Sequence, residues 1–140
     1  MNMMEMVLAL FAVILFSSVA LSYNQAIWRQ TDYLFNAQLV VQCNHLCHEV
    51  LDEVDAKLFS KQLGFDNIIS TYNNKTRSVT IASQSETYNL LIKAAVCDSF
   101  GVVMPADSLS LFRRVDVSVS GPPALKRPVN MYRLYTRTYM

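Results

Sequence analysis

The sequence predicts an α+β fold: one long N-terminal α-helix whose C-terminal half packs on an antiparallel sheet of four or five strands. Three observations carry this reading. No Gly or Pro precedes Gly64, so nothing upstream of it interrupts a helix. Within that stretch the chain changes from continuously apolar to amphipathic at helical spacing. After Gly64 the apolar residues recur every second position, which is the strand repeat. The 140 residues suit one modest domain plus one anchor.

The first element, residues 1–28, is the hydrophobic half of the helix. Residues 6–21 are apolar except for Ser17 and Ser18, and apolar character resumes at Ala26, Ile27 and Trp28. That is enough to cross a bilayer, which takes about 20 residues at 1.5 Å each. Trp28 followed by Arg29 fits an interfacial aromatic and a snorkelling cation. A cleaved secretory signal competes, with Ala20-Leu21-Ser22 as its small-x-small site. Against it, no positive charge precedes the apolar run. The first cation, Arg29, lies on the C-terminal side, so the positive-inside rule alone would leave the C-terminal domain in the cytoplasm. The conflict disappears if a short basic leader once preceded Met1 and has been removed; Met1 would then be a mature N-terminus. Glu5 is the only charged side chain before Arg29. A lone carboxylate beside a membrane-length helix calls for a partner. The cation at hand is the α-amino group of Met1, its own or a neighbouring copy's.

The second element, residues 29–63, is the amphipathic half. Ala37, Val40, Cys43, Cys47, Val50, Val54 and Leu58 recur at spacings of three and four and share a face. Asp32, Asn36, Asn44, Asp52, Asp55 and Lys61 fall largely elsewhere. Gly64 is the expected C-cap, so the helix should run from about residue 2 to 63.

The third element, residues 64–140, is the sheet. Strands are expected over 77–83, 88–96, 111–120 and 129–139. In the second, Tyr88, Leu90, Ile92, Ala94 and Val96 share a face, and in the third Val115, Val117 and Val119 do. Residues 66–72 are a weaker strand candidate, joined through the turn-like Asn73-Asn74-Lys75. Gly121-Pro122-Pro123 and Pro128 bracket the loop before the last strand.

With these features in view, the chain resembles the type IV pilin and pseudopilin superfamily. The resemblance rests on glutamate at position 5 in Met1-Asn2-Met3-Met4-Glu5, on the apolar stretch that follows it, and on the helix-then-sheet order. At residue level it covers about 25 residues; the rest matches in architecture. It implies that a prepilin peptidase removes a leader and that the new N-terminus is methylated. It also implies that Glu5 neutralises the Met1 amine of a neighbour during assembly. The chain departs from the family in starting Met1-Asn2 where Phe, often followed by Thr, is usual. It also lacks the helix-breaking Gly and Pro many members carry, so no local melting of the helix is expected.

Other motifs carry less. Cys43-Asn44-His45-Leu46-Cys47-His48 invites a metal reading, but no second pair of ligands recurs at zinc spacing, and no metal or cofactor is expected. Cys43 and Cys47 are one helical turn apart, which is poor geometry for bridging each other. Any disulfide should therefore join Cys43 or Cys47 to Cys97. Glu49, Asp52, Glu53 and Asp55 are expected on a solvated face. Arg113, Arg114, Lys126, Arg127, Arg133 and Arg137 gather near the last strands, with Tyr132, Tyr135 and Tyr139 interleaved. Subunit contacts or a solvent-facing sheet suit them better than nucleic acid, since the net charge is only +1. No catalytic set occurs, and no Gly-rich phosphate loop is built from the three glycines.

The expected function is a structural subunit, held in a membrane by its first 28 residues and then drawn into a helical homopolymer. The partners are membrane lipid before assembly and copies of the chain afterwards, with the filament assembly machinery implied by the resemblance. The expected location is the inner or cytoplasmic membrane, then an extracellular or periplasmic filament. Two alternatives stand beside it: a minor pseudopilin of a secretion or DNA-uptake machine, and a single-pass anchored binding domain.

Overall fold

The computed structural model describes residues 2–81 and 86–137. Its elements are α1 (Met3–Phe59), a 3-10 turn (Phe65–Asn67), α2 (Ile68–Tyr72), β1 (Lys75–Ile81), β2 (Glu86–Cys97), β3 (Phe112–Ser120) and β4 (Val129–Thr136). The architecture is α+β, as the sequence implies. The chain divides into two compact units, Met1–Ala37 and Gln38–Met140.

In the first unit, α1 is unbroken and its described residues are almost all exposed. The hydroxyl of Thr31 bonds back to the Ile27 carbonyl at 3.0 Å, so a polar side chain is satisfied without opening the helix. The helix is long and apolar enough to cross a membrane, and it is a candidate membrane anchor.

In the second unit, α1 lies on one face of a sheet of order β1-β2-β3-β4, antiparallel throughout. Strand alternation decides the core. Tyr88, Leu90, Ile92, Ala94 and Val96 of β2 and Val115, Val117 and Val119 of β3 are buried. Against them α1 sets Leu39, Cys43, Leu46, Cys47, Val50, Leu51 and Val54. The buried stripe is wider than the expected one. It adds Leu39, Leu46 and Leu51, while Ala37 is exposed and Val40 and Leu58 are half-buried. A sheet of several strands covers a broader arc of a helix than a single row of contacts does.

Beyond shifts of one or two residues at the ends of β2 and β3, the structure departs from the sequence expectation in three places. First, α1 ends at Phe59, before Gly64. Lys61 takes the left-handed conformation (φ 56°), and the carbonyls of Leu58 and Lys57 are satisfied by the Lys61 and Leu63 N–H groups. Gly64 is extended (φ −77°, ψ 146°), so it is not the cap. Second, residues 66–72 form helical turns in place of a strand. Phe65, Ile68, Ile69 and Tyr72 all pack toward the core. Their spacing of i, i+3, i+4 and i+7 shares a face only in a helix. Third, β1 begins at Lys75 and β4 ends at Thr136. Ser83 and Tyr139, the expected far ends of the outer strands, lie outside the described residues.

Candidate functional site

The N-terminus of α1 is built by its own first turn. The Asn2 N–H donates to Glu5 Oε2 at 3.1 Å. The Asn2 carbonyl accepts from the N–H groups of Glu5 (2.9 Å) and Met6 (3.3 Å). Asn2 is thus the N-cap and Glu5 the third helical residue, whose carboxylate reaches back as in a capping box. The carboxylate also sits at the positive end of the helix dipole. Sequence reasoning missed this role, although the Asn2-Met3-Met4-Glu5 spacing signals it. Met1 lies outside the described residues, and so does its expected pairing with Glu5. Past the cap, Met3, Met4, Leu10, Phe11, Ile14, Leu15 and Phe16 are exposed, Phe16 at 78%. This end of the helix combines one carboxylate with a large apolar surface that has nothing packed on it among the described residues.

The second unit gathers its charges differently from the sequence expectation. Glu53 is not on a plain solvated face. Its carboxylate accepts from Arg77 of β1 (2.5 and 3.1 Å), from Lys57 one turn along (2.5 Å) and from the Tyr72 hydroxyl (3.4 Å). The Arg77 guanidinium, with Lys57 assisting against partial burial, holds the Glu53 carboxyl down at about 2. Arg133 of β4 pairs with Asp52 (3.1 Å) and with Asp55. The Tyr135 hydroxyl donates to the Leu51 carbonyl at 3.3 Å. Burial, and after it Asp55, raises the Tyr135 phenol. Arg137 meets Asp66 at 3.0 Å. Asp52 and Asp55 are therefore partnered by Arg133 of β4 and Glu53 by Arg77 of β1, which fastens helix to sheet.

On the outer sheet face Arg114 binds both oxygens of Asp116 (2.5–3.0 Å) and the Gly101 carbonyl (2.8 Å). Its guanidinium lies 4.1 Å from the Tyr132 ring centre. Arg113 turns to Phe65, 5.1 Å from that ring centre. The basic residues of the last strands are thus spread over different surroundings, several already neutralised, and do not form one continuous stripe.

All three cysteines are buried free thiols. Cys97 is bonded to neither Cys43 nor Cys47, the pairing expected if a bridge were present. Cys47 Sγ points at the Val117 carbonyl (3.9 Å), whereas Cys97 pairs with Phe112, five residues away along β3. That is roughly 16 Å at strand rise, well beyond bridging reach. Cys43 lies still further along, beside Gln42, whose side chain accepts from the Tyr88 hydroxyl at 2.6 Å. Burial pushes the Cys47 thiol up to about 11, with Cys43 adding to it, and raises Cys43 and Cys97 too. His45 and His48 are exposed, away from the buried thiol face. Among the described residues no three His, Cys, Asp or Glu side chains come together as metal ligands.

No protein-family model, curated protein or solved structure matches this chain.

Proposed function

We propose that this chain is a structural subunit of a type IV pilus-like filament, anchored in a membrane by its apolar helix and assembled by packing those helices together. The observation that carries the reading is the first unit of α1. It is an unbroken helix with an exposed apolar surface, and Glu5 at its start is the one charged side chain before Arg29. Such a surface must be covered by lipid or by other copies. In a bundle of copies the carboxylate loses hydration, which costs several kcal/mol unless a cation meets it. The α-amine of Met1 on an adjacent copy is the partner the resemblance implies. The pair would set axial register, because a copy at the wrong height leaves both charges unmatched. Heterologous contacts of this kind extend into a helical polymer. Processing by a prepilin peptidase and export by a filament machine belong to the same proposal. We assign the chain no enzymatic role, cofactor or nucleic-acid partner.

The capping box supports a second reading, a single-pass anchored domain that never polymerises. There Glu5 serves only its own helix.

Two substitutions separate the readings. Glu5→Gln keeps an acceptor for the Asn2 N–H, so the cap survives while the charge is lost. Glu5→Lys reverses the charge. Filament subunits and membrane-retained subunits are counted for each variant. Assembly predicts filaments from the wild type, fewer from Glu5→Gln and none from Glu5→Lys, with membrane insertion retained throughout. A normal filament yield from Glu5→Lys rejects the role given to Glu5. Wild-type chain that stays membrane-bound without filaments selects the anchored domain.

A further inference from the structure

We propose that Asn74 is an N-glycan acceptor, modified when the second unit is exported. Asn74-Lys75-Thr76 is the one Asn-x-Ser/Thr sequence in the chain, and its middle residue is not Pro. Such triplets are common, so placement decides whether this one can serve. Asn74 ends the turn between α2 and β1, is exposed, and takes the left-handed conformation (φ 55°). Nothing among the described residues hydrogen-bonds its side-chain amide. Thr76, two residues on, is exposed in β1. Arg77 beside it reaches Glu53 of α1, so Thr76, Ser78 and Thr80 take the face turned away from the helix. Register then separates these three hydroxyls. Ser78 stands opposite Asn89 and bonds to it at 2.8 Å, and Thr80 stands opposite Thr87 at 3.3 Å. Thr76 stands opposite Leu91, which offers its hydroxyl no partner. The one free hydroxyl of that row is the one the triplet requires.

The donor class is an oligosaccharide linked through a diphosphate to a polyprenyl lipid, presented by a membrane transferase. Asn74 Nδ2 attacks the anomeric carbon of the first sugar. A carbon–nitrogen bond forms and the bond from that carbon to the diphosphate oxygen breaks. The lipid diphosphate leaves with the electron pair, and Nδ2 gives up one proton to a base of the transferase. Nothing is oxidised or reduced. The product suits the fold, because the sugar leaves from an exposed turn and displaces no core side chain. It also stands at the start of β1, which is an edge of the four-stranded sheet. An edge strand offers unpaired backbone groups to other chains, and a hydrated bulky group beside it hinders that pairing.

This inference rests on the export in the proposed function and does not require a polymer. The full chain is translated in the presence of endoplasmic-reticulum microsomes, which hold both the transferase and the lipid-linked donor. Protease protection reports separately which side of the membrane the second unit occupies. The expected result is a protected unit that gains one endoglycosidase-sensitive step in mass. Asn74→Asp should lose the step, and Asp tolerates the left-handed turn as Asn does. Thr76→Val should lose it too, since Val keeps the branched strand shape and lacks only the hydroxyl. Thr76→Ser should retain it. A protected unit that stays unmodified overturns the inference and leaves the proposed function standing. So does a step that survives in Asn74→Asp or in Thr76→Val. A unit digested from the outside of the microsomes defeats the export reading, and the inference falls with it. A modified chain that forms no filaments in cells keeps the inference and defeats the polymer alone.

Discussion

Replacing Glu53 by Gln should cost stability at neutral pH and remove part of the acid sensitivity of the second unit. Glu53 receives Arg77 across from the sheet, Lys57 along the helix and the Tyr72 hydroxyl. Its carboxyl is held at about 2, against an ordinary value of 4.5. Taken whole, that difference is worth about 3 kcal/mol at roughly 1.4 kcal/mol per tenfold in proton affinity. Solvent takes back much of it. Glu53 keeps 30% of its side-chain surface in water, Lys57 37% and Arg77 41%. After that screening about 1 kcal/mol is the reasonable expectation. The sign follows from linkage: a carboxyl whose folded value is depressed contributes above 4.5 and loses that contribution as pH falls toward 2. The assay is thermal unfolding of the sheet, followed by circular dichroism in detergent micelles, from pH 7 down to pH 2. The variant should melt about 5 °C lower at pH 7, and the gap should close between pH 4.5 and 2. High salt should narrow it at neutral pH. Equal melting at pH 7, or a gap that stays constant into acid, would mean that the Glu53 charge does not stabilise the fold.

Three further outcomes follow from the packing. Leu51→Ala should destabilise the second unit by about 2–5 kcal/mol in denaturant unfolding, because Leu51 is 1% exposed and the cavity cannot be filled from solvent. Gly101→Ala should cost about 1 kcal/mol in the same assay, because Gly101 has φ +82° and an added Cβ would stand 3.3 Å from Leu134. Iodoacetamide at pH 8 should label Cys43, Cys47 and Cys97 only slowly until the domain is unfolded, since all three are buried and raised; prompt labelling measured by mass spectrometry would contradict their placement.

The order and type of the large elements are legible in the residues alone. Residues 3–59 could be read as helix because nothing in them breaks one, and β2 could be read because Tyr88, Leu90, Ile92, Ala94 and Val96 stand at every second position. Both signals are local, and each fixes which face must leave water. The sequence also contained the cap at Asn2 and Glu5 and the helical spacing of Phe65, Ile68, Ile69 and Tyr72, but in stretches too short for one period to outweigh another. How far the helix stripe extends, where α1 stops and which charges meet depend on packing between distant parts of the chain. Leu39, Leu46 and Leu51 are buried because a sheet covers them, a fact no helical period contains. Arg133 lies 78 residues from Asp55, and Arg77 lies 24 from Glu53, so their pairing depends on strand order and register. The same register separates Cys97 from Cys47, although helical spacing alone left either helix cysteine free to reach it.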